Sequence, residues 1–388
     1  MRDLSTCPIC EGADAFVFLE RGSVPVHQNF PHVSRAAALS APRGDLRLSC
    51  CKTCGFVTNL AFDPGLLQYG PGYENDQTYS PMFERYVAGL ADRVLERGGR
   101  GHLVVEVGCG RGTFLRRLCA GGARGGVGFD PAYVGPDEVD DGRVRFVREY
   151  YGAAHAQLEP DLVVCRHVIE HVPEPLELLR AVRAALGRAR APLTAFETPA
   201  LDWILDNTVV QDFFYEHCSY FTASSLSLAF TRAGFEPLRV ERLFGDQYLW
   251  LEARPGQGNP PSTPATEIVQ SCALYAERVQ RRLERLRTNL EQIRATGEIA
   301  IWGAGAKGVT YLNLLDSTAS LISCVVDMNP RKQGRFVPGT GHPIVSATQL
   351  NDLAISNVVV MNPNYIDEIR DELDLLGVQA SLHTEGEA

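Results

Sequence analysis

The chain has 388 residues, 45% of them apolar and 22% charged, with a formal net charge of −10. That length exceeds the usual single domain and predicts two or three, and the ordinary apolar fraction predicts a soluble globular protein. The acidic balance argues against bulk attraction to nucleic acid or an anionic membrane; no apolar run approaches the roughly 18 residues of a membrane helix; and the opening Met1-Arg2-Asp3-Leu4-Ser5-Thr6 lacks a signal-peptide core, so a cytoplasmic location is expected.

Eleven cysteines, an odd number, point to thiols or metal ligands rather than a disulfide framework. Cys7-Pro-Ile-Cys10 and Cys51-Lys-Thr-Cys54-Gly55 are two Cys-x-x-Cys knuckles. Each sets two thiolates on one tight turn, and together they offer the four soft ligands of a tetrahedral zinc site. The stretch between them is longer than a compact ribbon needs, so a loop lies there. Cys50 adjoins the second knuckle, but only Cys51 gives the spacing. With no open coordination position implied, the zinc is expected to be structural and remote from any chemistry. Buried, reduced cysteines without metal are the alternative. These residues place a zinc-binding domain over 1–63.

Residues 64–80, rich in Pro, Gly, Tyr and Asn, read as a linker into a second domain spanning 64–255. A helix is predicted from about Met82 to Arg97. It leads into Val104-Val-Glu106-Val-Gly108-Cys-Gly110-Arg-Gly112-Thr-Phe-Leu115, with Asp130 closing the next apolar run. Two short apolar runs around a helical stretch make a β-α-β unit. Glu106 and Asp130 then fall at the C-terminal ends of their strands, where open α/β sheets bind ligands. The spacing differs from the dinucleotide fingerprint, which cradles a pyrophosphate on a helix N-terminus. A carboxylate beside the turn suits a ligand with an ammonium group and ribose hydroxyls. The stretch resembles the S-adenosylmethionine loop of class I methyltransferases. That resemblance implies that Glu106, Gly108, Gly110 and Gly112 line the methionine end and that Asp130 binds the ribose. The alternative is a different Rossmann-type enzyme whose glycines serve packing alone.

Further strands are predicted at Val144–Val147, Leu162–Cys165, Leu193–Glu197, Pro237–Glu241 and Tyr248–Ala253, a mainly parallel sheet ending in a hairpin. His167-Val-Ile-Glu170-His171 matches a zinc-protease pattern. That chemistry needs both histidines on one face of a continuous helix, whereas Pro173 and Pro175 mark a helix only starting. The segment reads instead as the floor of a cofactor pocket, with His167 beside the cofactor and His171 facing the substrate. A second cluster, Phe213-Phe-Tyr215-Glu216-His217-Cys-Ser-Tyr220-Phe221-Thr222, interleaves aromatics with an acid and a histidine. Such a mixture suits a dry pocket that tunes a base; a core loop with one satisfied histidine is the alternative.

Residues 256–266 form a second linker. After it, Ile268, Cys272, Tyr275, Val279, Leu283, Leu286, Leu290 and Ile293 recur at helical spacing. They predict an amphipathic helix of about 45 Å within residues 256–298. Packing along its own domains is favoured over a dimer seam. The last domain, 299–388, opens with Ile299-Ala-Ile-Trp-Gly303-Ala-Gly305-Ala-Lys307-Gly308, and Asp327 ends the next strand. Taken literally this is a dinucleotide fingerprint.

In this order the pieces resemble the three-part sugar C-methyltransferases of bacterial natural-product pathways. The resemblance covers nearly the whole chain. It rests on Cys7/Cys10 with Cys51/Cys54, on Glu216-His217 followed by Tyr220-Phe221, and on Gly303-Ala-Gly-Ala-Lys307-Gly308. Its most specific stretch runs from Val325-Val-Asp327 through Lys332-Gln-Gly334 to Pro338-Gly339-Thr340. It implies a class I methyltransferase Rossmann-like core, a small N-terminal zinc-binding domain and a C-terminal Rossmann-like α/β domain without hydride chemistry. S-adenosylmethionine and structural zinc are the implied cofactors, and a nucleotide-linked keto-sugar is the implied substrate. The family's Tyr-His-Glu-His motif is here Phe214-Tyr215-Glu216-His217, so its leading phenol is missing. The segment Tyr73–Ser80 follows the family pattern loosely, with Tyr79 as its cofactor contact.

The resulting expectation is methyl transfer to carbon next to a ketone, through an enolate. His217 is the expected base, with Glu216, His171 or Tyr215 orienting it. Gly303, Gly305, Lys307, Gly308 and Lys332 are expected to receive the nucleotide or phosphate part of the substrate. The alternatives are O- or N-methylation of another metabolite, a non-catalytic dinucleotide-binding protein, or a zinc-containing nucleic-acid regulator, which the lack of a clustered basic stripe disfavours. A monomer or homodimer without nucleic-acid or membrane partners is expected.

Overall fold

A computed structural model describes residues 6–67, 70, 72–187, 191–259 and 265–384. Parts of both expected linkers, at residues 68, 69, 71 and 260–264, lie outside the described residues. The N-terminal region comprises β1 (Ala15–Pro25), α1 (Arg35–Leu39), β2 (Arg43–Cys51) and β3 (Val57–Asn59). These strands pair antiparallel in chain order. The fourth strand of this sheet is Ser219–Tyr220, which pairs with β3 from far along the chain. The N-terminal region therefore depends on residues directly after His217 to complete its sheet.

The central region contains α2 (Pro81–Val94), β4 (Leu103–Val107), α3 (Thr113–Ala120), β5 (Gly125–Phe129), β6 (Glu138–Val139) and β7 (Val144–Val147). It continues through β8 (Leu162–Arg166), α4 (Pro175–Ala185), β9 (Leu193–Pro199), α5 (Leu201–Asp206), β10 (Ser219–Tyr220), α6 (Ala223–Arg232), β11 (Phe235–Leu243) and β12 (Tyr248–Pro255). Eight strands form one sheet in the order β11-β12-β9-β8-β4-β5-β7-β6. The strands from β9 to β7 in that order run parallel, and β12, β11 and β6 are antiparallel to their neighbours. Alternate residues of one strand serve opposite faces. Val105, Val107, Val163 and Cys165 pack with Leu179 of α4 and Phe230 of α6. Val104, Leu162 and Val164 pack with Val87 of α2 and Leu115 of α3. Covering both faces is what makes these strands read as continuous apolar runs.

The remainder comprises α7 (Thr266–Arg294), β13 (Glu298–Trp302), α8 (Ala306–Leu315), β14 (Cys324–Val326), β15 (Ile344–Val345), β16 (Ile355–Val360), α9 (Ile366–Leu375) and β17 (Ser381–Thr384). Its five strands are all parallel, in the order β15-β14-β13-β16-β17. Helix α7 buries Cys272, Tyr275, Val279, Leu286 and Leu290 in a core shared with Leu46 and Leu48 of β2, Ile204 of α5 and Leu312 of α8. The apolar stripe thus packs along the protein's own domains, and the three regions share one core. Among the described residues no helix is long and apolar enough to cross a membrane.

Candidate active site

Glu106 ends β4 facing inward and is buried. Its Oε2 accepts the Leu115 amide at 3.1 Å, capping α3 from beneath in place of Gly112, which has no side chain. Burial pushes this carboxyl up to about 8. The loop above it turns through Gly110 and Gly112, both with positive φ. A Cβ on Gly108 would overlap Val168, and one on Gly112 would overlap Phe146. A Cβ on Gly110 would meet no atom within 4 Å. Asp130, half-buried at the end of β5, accepts from the Gly110 amide at 2.9 Å and the Ala132 amide at 2.8 Å. Open space at Gly110 beside a carboxylate is a cradle that fits the ribose and methionine of S-adenosylmethionine.

The ends of β8 and β9 carry a buried charge network. Arg166 donates to Glu197 at 2.7 Å, the Tyr86 hydroxyl bonds the same carboxylate, and His167 Nε2 lies 3.2 Å from it. His167 Nδ1 is 3.2 Å from Glu170, whose other oxygen accepts from the Thr198 hydroxyl at 3.0 Å. Burial favours the neutral imidazole, but Glu197 and Glu170 outweigh it and raise His167 to about 9. Glu197, despite its own burial, is held down at about 2 by Arg166 and His167. His167 sits at φ 53°, an uncommon backbone state for a non-glycine residue that this network holds in place.

Ile169–His171 forms a single tight turn, followed by α4 from Pro175, so no continuous helix carries the His-x-x-Glu-His pattern. This turn lies against the glycine loop through Val168. His171 Nδ1 is 3.0 Å from the Glu216 carbonyl, and its ring meets His217 edge-on at 4.7 Å between centroids. The Nδ1 of His217 is buried without a hydrogen-bond partner. Burial, reinforced by His171, His167 and Lys307, holds His217 well below its usual range, so it is an unprotonated imidazole. The Glu216 carboxyl is buried, with one oxygen accepting from the Tyr73 hydroxyl at 3.1 Å and the other unpartnered. Burial raises it to about 8.

The aromatic wall is smaller than the sequence suggests. Phe214 and Tyr220 flank His217 at 4.1 and 6.0 Å. Phe213 packs on Phe18 and Tyr275, and Phe221 on Phe56. Tyr215 turns away: its hydroxyl accepts the Asp63 amide at 2.9 Å and its ring packs on Phe62. It is a seam residue and does not orient His217. Tyr79, 37% exposed, lies under the Arg331 guanidinium rather than in the glycine loop.

In the C-terminal region, Gly308 serves close packing, since a Cβ there would overlap the Gly303 carbonyl. Lys332 is buried, donating to the Ala304 carbonyl at 3.0 Å with Asp327 at 3.4 Å. Asp327 also accepts the Ala304 amide at 2.9 Å. The acid of the fingerprint is thus already neutralised by Lys332. Lys307 pairs with Asp212 across the domain boundary, 5.1 Å above the Trp203 ring. Gly303 and Gly305 remain beside open space, with Asn29 of the N-terminal region nearest to Gly305. The link from this helix to His217 is Lys307, in the first turn of α8, whose charge adds to the depression of the imidazole.

The four knuckle thiols converge, with Cys7 and Cys54 sulfurs 3.7 Å apart and Cys10 and Cys51 sulfurs 3.4 Å apart. A tetrahedral zinc with bonds of about 2.3 Å sets its sulfurs about 3.8 Å apart, so the thiols fit one. Cys50 lies in a different core, with Leu48 and Cys272, which assigns the ligand position to Cys51.

Several residues of the site gave no motif. Tyr73 and Glu74 belong to the expected linker, whose density of aromatic and acidic residues was the available signal. Tyr86, Arg166 and Glu197 sit singly on three separate elements, which no local spacing connects.

Residues 80–240 match the methyltransferase domain family, and residues 265–379 match the C-methyltransferase C-terminal domain family. The C-methyltransferase NovU of Streptomyces niveus is 26% identical, over 96% of this chain and 92% of that one. A ubiquinone biosynthesis O-methyltransferase of Sodalis glossinidius is 31% identical over 23% of this chain and 40% of its own. The 1,6-didemethyltoxoflavin-N1-methyltransferase structure from Burkholderia thailandensis overlaps 45% of this chain and 81% of its own, at 20% identity and a TM-score of 0.35. With a methyltransferase domain followed by a C-methyltransferase C-terminal domain, and a C-methyltransferase matched almost end to end, the chain is an S-adenosylmethionine-dependent methyltransferase similar to the C-methyltransferases.

Proposed function

We propose that the protein methylates a carbon next to the ketone of a nucleotide-linked sugar, with His217 as the base. The observation that carries this reading is the buried Nδ1 of His217, which has no hydrogen-bond partner, on an imidazole that burial holds well below its usual range; Glu216, next to it in the chain, is a buried carboxyl raised to about 8. S-adenosylmethionine, held by the Gly108–Gly112 loop and Asp130, supplies a methyl group already activated as a sulfonium.

Carbon next to a carbonyl becomes nucleophilic once a proton leaves it. His217 takes that proton: the C–H bond breaks, an N–H bond forms, and the electron pair moves onto the ketone oxygen. Glu216 donates from its unpartnered oxygen to the developing oxyanion and so takes over what the missing phenol would supply. His171 steadies the loop through the Glu216 carbonyl. The open side of Gly303 and Gly305, at the start of α8, receives the nucleotide part of the substrate. Lys307, committed to Asp212, shapes that boundary rather than meeting a phosphate. The four knuckle cysteines hold a structural zinc.

The test uses a nucleotide-linked keto-sugar in deuterated water without methyl donor. Deuterium should enter the sugar with the intact enzyme and fail to enter with His217→Ala, whose kcat should fall by roughly 10²–10⁴ at unchanged donor affinity. An O-methyl ether as product, or full turnover in His217→Ala, would overturn the assignment.

A further inference from the structure

Glu74 belongs to no motif, yet it is 6% exposed and joins two glycine loops in different domains. Its Oε1 accepts from Arg111 at 2.9 Å, and its Oε2 accepts from Arg331 at 2.8 Å and from Asn329 at 3.4 Å. Arg111 stands between Gly110 and Gly112 in the cofactor loop. Arg331 and Asn329 stand in the turn after β14, beside Lys332, which holds the Ala304 carbonyl of the C-terminal glycine loop.

We propose that Glu74 is a positioning residue through which Arg331 of the C-terminal domain sets the affinity of the Gly108–Gly112 loop for S-adenosylmethionine. This rests on the reading that this loop, with Asp130, holds the cofactor. Glycines contribute no side chains to fix a loop. Here Asp130 fixes it at the Gly110 amide and Arg111 fixes it from the other side. Arg111 is in turn held by a carboxylate for which Arg331 is the second of two guanidinium partners. A carboxylate this buried is costly unless both guanidiniums stay in place, so loss of one reaches the other. The strap carrying Glu74 is fastened on every side. Arg331 also reaches Asp76 at 3.0 Å, Glu368 of α9 accepts from Ser80 and the Met82 amide at 3.0 and 2.8 Å, and Tyr73 reaches Glu216. Donor affinity and seating of the C-terminal domain are therefore one linked equilibrium, and the linkage is reciprocal.

The test is calorimetry of S-adenosylhomocysteine on the full-length enzyme. Glu74→Gln and Arg331→Gln should each weaken binding by about 5- to 20-fold, and the double variant should be no weaker than Glu74→Gln alone. Arg331→Lys, which keeps the charge but cannot reach Glu74 and Asp76 together, should fall between wild type and Arg331→Gln. In turnover, the donor KM should rise in Arg331→Gln while kcat at saturating donor holds. Wild-type affinity in Arg331→Gln, even with a lowered melting temperature, or losses that multiply in the double variant, would overturn the relay. Asp130→Asn separates the two readings. If it leaves affinity unchanged, the loop assignment fails and the relay with it; if it weakens binding while Arg331→Gln does not, the relay alone fails.

Discussion

At the scale of single residues, the division of labour comes from environments that push like groups apart. Two buried carboxyls, Glu106 and Glu216, lack cations close enough to offset burial and are raised to about 8, while Glu197, beside Arg166 and His167, is held at about 2. The histidines divide the same way, His167 raised to about 9 and His217 pushed well below its usual range. The sign of the pH dependence follows. In the proposed mechanism Glu216 is a protonated donor, so its contribution is present below about 8 and lost as pH rises through that value. His217, the proposed base, is depressed well below its usual range and so imposes no loss near neutrality. kcat/KM should therefore be flat around neutral pH and fall on the alkaline side. Glu216→Gln, whose amide still donates but does not titrate, should abolish the alkaline fall. If the fall persists unchanged in Glu216→Gln, or that variant is as inactive as Glu216→Ala, Glu216 is not the donor.

At the scale of elements, the strands and helices with strong periodicity were legible. β7 matches its expected span, β8, β9, β11 and β12 differ at their ends by one to two residues, and α7 carries the stripe read from Ile268 to Ile293. What could not be read was which residues meet across elements. Glu197 and Arg166 converge because parallel β9 and β8 bring their C-terminal ends together, and Tyr86 reaches them from α2, relations that depend on strand order and helix packing. Tyr215 was misjudged because neighbours in a loop need not face one way: His217 points into the site and Tyr215 into the seam with Phe62. The glycine loop offers a test of this local geometry. Gly112→Ala would drive a Cβ into the Phe146 ring at a positive φ and should destabilise the fold. Gly110→Ala meets open space, so it should cost only about 1–2 kcal/mol for its left-handed backbone. On the proposed assignment, in which the ligand takes that space, it should nevertheless abolish S-adenosylhomocysteine binding. Calorimetry alongside thermal melting separates the two, and retained binding in Gly110→Ala would show that the cradle lies elsewhere.

At the scale of the whole molecule, the four knuckle cysteines, the proposed metal site, are tied more directly to His217, the proposed base, than their place near the N-terminus suggests. Cys51 and Cys54 bracket the turn into β3, and β3 pairs with β10, which begins two residues after His217. The fastening is dense: the Thr58 hydroxyl and the Asn59 amide both reach the Cys218 carbonyl at 3.0 Å, and the Phe56 and Phe221 rings lie 5.1 Å apart. A structural metal contributes folding energy to the turns it closes, so its removal should loosen β3 first. His217 then loses the strand that fixes it, whereas the cofactor loop is carried by β4 and α3 and held by Asp130 and Arg111. A misplacement of about 1 Å at a reacting group can cost roughly 100-fold in rate. Chelation, or Cys54→Ser, should therefore lower turnover by roughly 10- to 100-fold while S-adenosylhomocysteine affinity stays within about threefold. Proton–deuterium exchange into the keto-sugar should fall in step with turnover, since both report the position of His217. If zinc-free protein turned over at the normal rate, or lost cofactor binding and turnover together, the knuckles would be supporting the fold as a whole rather than holding the base.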